Sequence, residues 1–310
     1  MSTIFINLME HQILEQLWTR ALYPEKANPE SWNQELETLY RYGIGIEEVM
    51  RYLYFEKPEL HQFYDWITNR HTDTMSQSET ITTAILSEAD LQFWEENGYL
   101  VLRNAISEED CKATVQAIWD FLGLQPDDRD GWYRQHEEQR GLMLTFSDHP
   151  ALNKNRSSAR IRKAYEQLYG TDKIYKTIDK VSFNPPETDS YHFLGSPLHW
   201  DVSLKQPIPF GLQGLLYLTD CGPEDGAFHC VPGFHNEIGK WMSGLKEEEN
   251  PREVALQTLQ AIPVTGKAGD FVIWHQALPH CASANHGTNP RMVQYLTYFP
   301  EQYETASEWL

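Results

Sequence analysis

From Lys173 onward proline and glycine cut the chain into short apolar segments, and this punctuation constrains the fold more than any other feature. Ile174 to Phe183 alternates loosely and is stopped by Pro185-Pro186. Leu212 to Leu218 is a run of leucine and tyrosine. A further segment begins near Gly226 and is turned by Pro232-Gly233. Phe271 to Trp274 is wholly apolar, and Arg291 to Phe299 is the longest strand-like stretch. Many short strands bounded by turn residues predict a sandwich or barrel, here a jelly roll.

The N-terminal part follows a different period. Residues 7 to 70 predict four helices. The first carries Leu8, Ile13, Leu14, Leu17, Trp18, Ala21 and Leu22 near amphipathic spacing and ends at Pro24. Asn28-Pro29 offers an N-cap and first-turn proline for the second. Gly43-Ile44-Gly45 separates it from a third, Ile46 to Phe55, and Pro58 opens the fourth. This stretch has no cluster of metal ligands or nucleophiles, and its aromatic residues read as core. Residues 1–75 are therefore expected to form a small all-α module, a candidate for self-association or for docking a protein partner. A polar, hydroxyl-rich linker follows to about residue 86. The main domain, 87–310, opens with two capping patterns, Ser87 to Asp90 and Ser107 to Asp110. The first precedes a short helix that stops at Asn97-Gly98, then a strand, Tyr99 to Leu102. The second precedes a longer helix. Ala159 to Tyr169 predicts another helix, flanked by Lys154, Arg156, Arg160, Arg162 and Lys163. Those cations read as a solvated face or, alternatively, as a site for an anionic substrate handle.

Charge and composition narrow the function. A formal charge of −20 excludes nucleic acid and anionic membranes as partners, since both require a basic footprint. No apolar run approaches the roughly 20 residues of a membrane helix, and the N-terminus lacks a basic, apolar leader. Cys111, Cys221, Cys230 and Cys281 have no Cys-x-x-Cys spacing and read as reduced thiols. A cytoplasmic protein is expected.

Within the strand-rich part, Leu198-His199-Trp200-Asp201-Val202 places a histidine and an aspartate two residues apart. On an extended strand both side chains project to one side, within reach of one metal ion. A second histidine would complete the facial triad of non-heme Fe(II) oxygenases. His-x-Asp alone arises often by chance, so its context carries the weight. Three histidines follow: His275 ends the apolar strand, His280 stands where a new strand would begin, and His286 lies in a turn-like segment. His280 is the favoured ligand.

These residues in this order resemble the phytanoyl-CoA dioxygenase family of Fe(II)- and 2-oxoglutarate-dependent oxygenases. The family pattern is His-x-Asp, then Gly-x5-Pro-Gly-x-His, then a distal His followed by an Arg. The chain has His199-Trp200-Asp201, then Gly226 to His235 with Pro232-Gly233, then His280 and Arg291. Leu91 to Ala105 also resembles the family's start, so the likeness spans roughly residues 86 to 300. Two positions depart from the pattern. Trp200 stands where Gln is frequent, and Cys281-Ala282 replaces a Gly-Ser whose serine commonly helps hold the co-substrate.

The resemblance implies a mainly β fold with helices, its core a double-stranded β-helix of the cupin-like jelly-roll type. It implies Fe(II) held by His199, Asp201 and His280, with 2-oxoglutarate and O2 as co-substrates. Arg291 would bind the far carboxylate of 2-oxoglutarate through its planar fork. Related halogenases lack the carboxylate ligand, so its retention favours hydroxylation or a related oxidation of a C–H bond in a small-molecule or carrier-bound substrate, with release of succinate and CO2. His229, His235 and His275 are expected to be structural. The loops 185–197 and 204–210 flank the site and could close over substrate, with Tyr191, His192 and Phe193 as contacts. Two other classes fit parts of the pattern. A zinc hydrolase can use the same ligands but has no use for Arg291, and a jelly-roll scaffold would need no intact triad.

Overall fold

A computed structural model of the chain describes residues 6–26, 28, 31–71, 81–301, 303 and 308–310. The N-terminal module consists of α1 (Leu8–Leu22), α2 (Trp32–Arg41), α3 (Ile46–Glu56) and α4 (Leu60–His71). Leu14, Leu17, Leu39, Val49, Leu53 and Phe63 form its own core and are fully buried. Asn7 caps α1 in a reciprocal capping box with Glu10. Helix α2 starts at Trp32 with Ser31 as its N-cap, and the expected Asn28-Pro29 start lies partly outside the described residues. Most of the linker, residues 72–80, also lies outside them. By Ile85 the chain is fixed, because Gln167 Oε1 accepts from the Ile85 and Leu86 N–H groups and Leu86 packs into the main core.

The main domain runs α5 (Glu88–Asn97), β1 (Tyr99–Leu102), α6 (Glu108–Leu122), β2 (Gln139–Arg140), β3 (Met143–Leu144), α7 (Pro150–Arg156), α8 (Ala159–Tyr169), β4 (Ile174–Lys176) and β5 (Val181–Asn184). It continues with β6 (Leu212–Tyr217), β7 (Phe228–Cys230), α9 (Phe234–Ser243), α10 (Pro251–Thr258), β8 (Ile262–Val264), β9 (Phe271–His275), β10 (His280–Ala282), β11 (Arg291–Tyr295) and β12 (Tyr298–Pro300). Seven strands form one antiparallel sheet in the order β1-β9-β6-β11-β5-β3-β2. A second sheet has the order β10-β7-β8, and β12 pairs with β4.

Side-chain alternation assigns each strand residue to a core. Leu212, Leu216, Phe271, Ile273 and Met292 point toward α5, α6 and α8, while Leu215, Tyr217, Val272, Trp274 and Val293 point toward the smaller sheet. Both faces of the large sheet are therefore covered, and its strands read as continuous apolar runs rather than alternating ones. Gly214 is required by close approach. A Cβ there would lie 2.4 Å from the Tyr165 hydroxyl and 2.5 Å from the Phe271 ring.

The architecture is mixed α/β rather than mainly β, with more of the described residues in helices than in strands. Helices α7, α9 and α10 account for much of the difference. The stretch from Arg291 to Phe299 is two strands, because the chain leaves the large sheet at Leu296 and pairs with β4 from Tyr298. Ile174 to Phe183 divides the same way into β4 and β5. Among the described residues no helix is long and apolar enough to cross a membrane.

Candidate active site

His199 belongs to no continuous strand, in contrast to the expected extended segment. It makes a single antiparallel bridge with His280, with His199 N–H to His280 O at 3.0 Å and His280 N–H to His199 O at 2.9 Å. Asp201 follows in a bend held from outside. Arg252 on α10 donates to the carbonyls of Trp200 and Val202, on either side of Asp201, at 2.8 Å each. Trp200 is buried beneath, its Nε1 donating to Ala277 O at 2.9 Å. The position where the family often has Gln thus belongs to the core.

The structure brings His199, Asp201 and His280 together, one ligand atom from each lying within 4.8 Å of the others. His280 Nε2 is 3.2 Å from Asp201 Oδ2, and His199 Nε2 is 3.5 Å from Oδ1. Each ring is oriented by a backbone carbonyl, His199 Nδ1 by Pro197 O at 2.7 Å and His280 Nδ1 by Leu278 O at 3.1 Å. A carbonyl only accepts, so each Nδ1 carries the proton. Nε2 of each ring faces Asp201, to which it donates when it carries a proton; without that proton it presents its lone pair to a metal. The Asp201 hydrogen bond pushes His199 above its ordinary value, against burial. Burial pushes the Asp201 carboxyl up, but hydrogen bonds from His199, His280 and Gln213 more than reverse this and leave it well below the ordinary carboxylate range. Two neutral imidazoles and an ionised carboxylate suit a divalent first-row metal.

Gln213 on β6 was not foreseen from the sequence. Its Nε2 donates to Asp201 Oδ2 at 2.7 Å and its Oε1 accepts from Trp274 Nε1 at 3.0 Å. The one available sign was a polar residue inside an otherwise apolar strand.

His199, Asp201 and His280 line a cavity of about 370 Å³ that Arg291 also lines. Arg291 is 1 % exposed, and among the described residues no carboxylate pairs with it. Its contacts are weak ones, Ser182 Oγ at 3.4 Å, the Cys221 thiol and the Tyr217 ring at 6.0 Å from its centroid, and Nε has no hydrogen-bond partner. A buried cation in this state is suited to an anionic ligand, as a dicarboxylate co-substrate would be. The wall beside His280 is Cys281 and Ala282, and the hydroxyls that line the cavity are those of Ser196, Tyr295 and Thr297, with Ser182 against Arg291.

Other expectations fall elsewhere. His235 and His275 pack together 5.2 Å apart, outside the ligand group, and His229 bonds to Ala227 O. His286 lies near Glu187. The first flanking loop lines the cavity with Leu194, Gly195 and Ser196, whereas Tyr191 packs on Tyr133. Of the cations around α8, Lys154 pairs with Asp110 and Arg162 with Glu166, so they form a solvated face. Arg156 is the exception, fully buried and bonded to the carbonyls of Ser147 and Asp179.

A domain with this antiparallel sheet, and with a His-Asp-His group and a buried arginine in one cavity, is of the metal-dependent oxygenase class. The family model for phytanoyl-CoA dioxygenase (PhyH) matches residues 94–293. The chain belongs to the phytanoyl-CoA dioxygenase family and is an Fe(II)- and 2-oxoglutarate-dependent dioxygenase. It is 25 % identical over 261 residues to a putative phytanoyl-CoA dioxygenase of Dictyostelium discoideum, covering 67 % of this chain and 74 % of that one. It is 24 % identical over 238 residues to an ectoine dioxygenase of Bordetella bronchiseptica, covering 69 % and 75 %. Among solved structures, EctD from S. alaskensis with 2-oxoglutarate and 5-hydroxyectoine superposes with a TM-score of 0.54 at 20 % identity, over 76 % of this chain and 83 % of that one. The hydrolase and scaffold alternatives are set aside by this membership.

Proposed function

We propose that His199, Asp201 and His280 hold the iron, that Arg291 anchors the far carboxylate of 2-oxoglutarate, and that the enzyme hydroxylates a C–H bond of a small molecule. The observation that carries this is the unpaired, fully buried Arg291 in the same cavity as three preoriented ligand atoms. When bound, ferrous iron with 2-oxoglutarate and O2 supplies the oxidising chemistry that releases succinate and CO2.

The chain's own residues prepare that chemistry. The Pro197 and Leu278 carbonyls fix the two ring tautomers, Gln213 fixes the carboxylate, and Arg252 fixes the bend that carries it. Phe228, Leu215 and Trp274 line the cavity and exclude water, which strengthens the attraction between Arg291 and a bound carboxylate. With the carboxylate ligand retained, hydroxylation is favoured over halogenation.

The two antiparallel sheets with side chains packed between them, and the superposition on EctD, support a double-stranded β-helix. The separate core of residues 1–75 supports a helical module distinct from an oxygenase domain over 87–310. Four free cysteines suit a cytoplasmic setting, and the net charge of −20 argues against nucleic-acid partners.

The test is titration of 2-oxoglutarate into anaerobic, Fe(II)-loaded protein, following the weak visible charge-transfer band of the chelate. We expect a band that Asp201→Ala abolishes and Arg291→Ala weakens. No band with iron bound would refute the assignment.

A further inference from the structure

A second cavity, of about 360 Å³, adjoins the first and is walled on one side by the N-terminal module. Asp179, Asp201, Gln213 and Thr297 line both cavities, so the second opens directly beside the ligand group. Asn33, Leu36 and Tyr40 contribute from α2. Their spacing of three and four residues puts them on one helix face. Tyr175, Phe299 and Tyr303 form a run of rings on the main domain, with centroids 6.2 Å apart from Tyr175 to Phe299 and 4.5 Å from Phe299 to Tyr303. Tyr303 is held in place by its hydroxyl, which donates to Gln276 Oε1 at 2.7 Å.

The module is fixed where it provides this wall. Helix α2 packs against β4, and Arg51 pairs with Glu138 at 2.6 Å. Glu47 pairs with Lys180, and Gly45 lies against Ile178.

Charge in the second cavity has one sign. Among the described residues no lysine or arginine lines it, and its ionisable acids are Asp179 and Asp201. In the metal-loaded enzyme Asp201 is engaged as a ligand, which leaves Asp179. The cations near Asp179 are directed elsewhere. Lys180 pairs with Glu47, and Arg156 donates to the Asp179 backbone carbonyl, Ser147 O and Asn153 Oδ1. The Asp179 carboxylate receives one backbone N–H, from Lys180 at 2.7 Å, and burial pushes its carboxyl above the ordinary value.

Building on the site assignment above, we propose that this second cavity is the substrate chamber and that α2 makes the N-terminal module part of the active site. Its substrate is a small organic cation, an amine or ammonium held by Asp179 and faced by the rings of Tyr40, Tyr175 and Tyr303. Aromatic faces attract cations, and an ammonium would give this half-buried carboxylate the contacting cation that it lacks among the described residues, where Arg156 and Lys180 act on it without pairing. A phosphate, carboxylate or coenzyme A handle would find no cation in this chamber, and its desolvation would go uncompensated.

The full chain, loaded with Ni(II) and 2-oxoglutarate, is screened by saturation-transfer NMR against matched sets of small amines, their alcohol isosteres and their carboxylate isosteres. Tyramine, tyrosol and hydroxyphenylacetate form one such set. We expect the binders to be amines, weakened about tenfold by Asp179→Asn and roughly fivefold by Tyr40→Ala, with thermal melts checking that both variants fold. If Asp179→Asn unfolds, Tyr40→Ala decides alone. Binders drawn mainly from the carboxylates or equally from all three sets, binders indifferent to the substitutions, or no binder at all would overturn the proposal. Calorimetry of 2-oxoglutarate binding to the same parent preparation separates the two levels. Binding of 2-oxoglutarate without amine preference sinks only the chamber assignment, whereas absence of that binding sinks the site assignment beneath it.

Discussion

His199 and His280, far apart in sequence, are backbone partners that exchange both hydrogen bonds of one antiparallel bridge. Their imidazoles stand 4.7 Å apart, centroid to centroid, because the backbone sets the spacing. The third ligand has no such support. Asp201 sits in a bend, and its carboxylate orientation depends on side chains, Gln213 above all.

Gln213→Leu is therefore expected to lower metal affinity about 10- to 100-fold, the range typical of lost outer-shell partners. It also leaves Trp274 Nε1 without its acceptor. Isothermal calorimetry with Ni(II) on parent and variant measures the effect. An unchanged affinity would mean that the two histidine bonds alone orient Asp201.

Arg291 is a buried cation that awaits a partner, and this predicts opposite effects of its removal on the free and the liganded protein. Arg291→Met removes an unpaired charge and fills a similar volume, so the free variant should be as stable as the parent or more stable by about 1–4 kcal/mol. The rise in melting temperature that 2-oxoglutarate gives the metal-loaded parent should disappear. Thermal melts with and without 2-oxoglutarate check both halves. A clear loss of stability in the free variant would show that Ser182 and Cys221 already satisfy the guanidinium.

The proposed ligand set was legible in the sequence because His-x-Asp, a later His beside Pro279 and an Arg beside Pro290 are distinctive residue types in a distinctive order. The sequence also carried the helix boundaries where a cap defines them. Ser87 with Asp90 caps α5 reciprocally, and Gly98, at φ +72°, ends it in the left-handed region. Gly98 could not be replaced in any case, since a Cβ there would lie 2.4 Å from His235 Nδ1. What stayed hidden depends on pairing between distant segments. Gln213 gains its role only by lying directly opposite Trp274 in the β6–β9 register. The position proposed for Asp179 depends on Lys180 and Arg156 spending their bonds on Glu47 and on backbone and amide oxygens. Tyr40 reads as core in a helical segment and instead lines a cavity together with residues of the strand-rich part of the chain. Helices α9 and α10 went unseen amid the strand-rich punctuation and α7 in the unassigned stretch before it, although Pro150 and Pro251 stand at the first positions of α7 and α10.

The N-terminal module contains a buried ion pair on which its packing depends. Glu35 is fully buried and accepts from Arg20 Nε at 2.7 Å, Arg20 Nη2 at 3.0 Å and Ser31 Oγ at 2.5 Å. Glu35→Ala removes the acceptor of three hydrogen bonds but leaves Arg20 partly open to solvent, so it should destabilise the module by about 1–3 kcal/mol. Hydrogen exchange should show faster opening confined to α1–α4, with the β6–β9 ladder still protected. Equal acceleration in both regions would mean that module and main domain unfold as one unit.

The His235–His275 pair makes stability depend on acid in a defined window. Burial pushes His275 down to about 4, with the neighbouring His235 adding to the effect, and its Nδ1 accepts the Ala277 N–H, a bond open only to the unprotonated nitrogen. The unfolded chain takes up this proton near the ordinary value of about 6.5. Between roughly pH 6.5 and pH 4 the unfolded state thus binds more protons than the folded one, and stability falls as pH falls, levelling below the folded value. The full difference is at most about 3 kcal/mol for His275. His275→Gln keeps an acceptor for Ala277 but cannot be protonated, so it removes this dependence. Denaturant unfolding of metal-free parent and variant at pH 7.5 and pH 4.5 should show the parent losing about 2–3 kcal/mol more on acidification. Groups away from the pair titrate alike in both proteins, and His235 in the variant loses only the repulsion of a protonated His275, so equal losses would place the proton elsewhere and leave His275 a packing residue only.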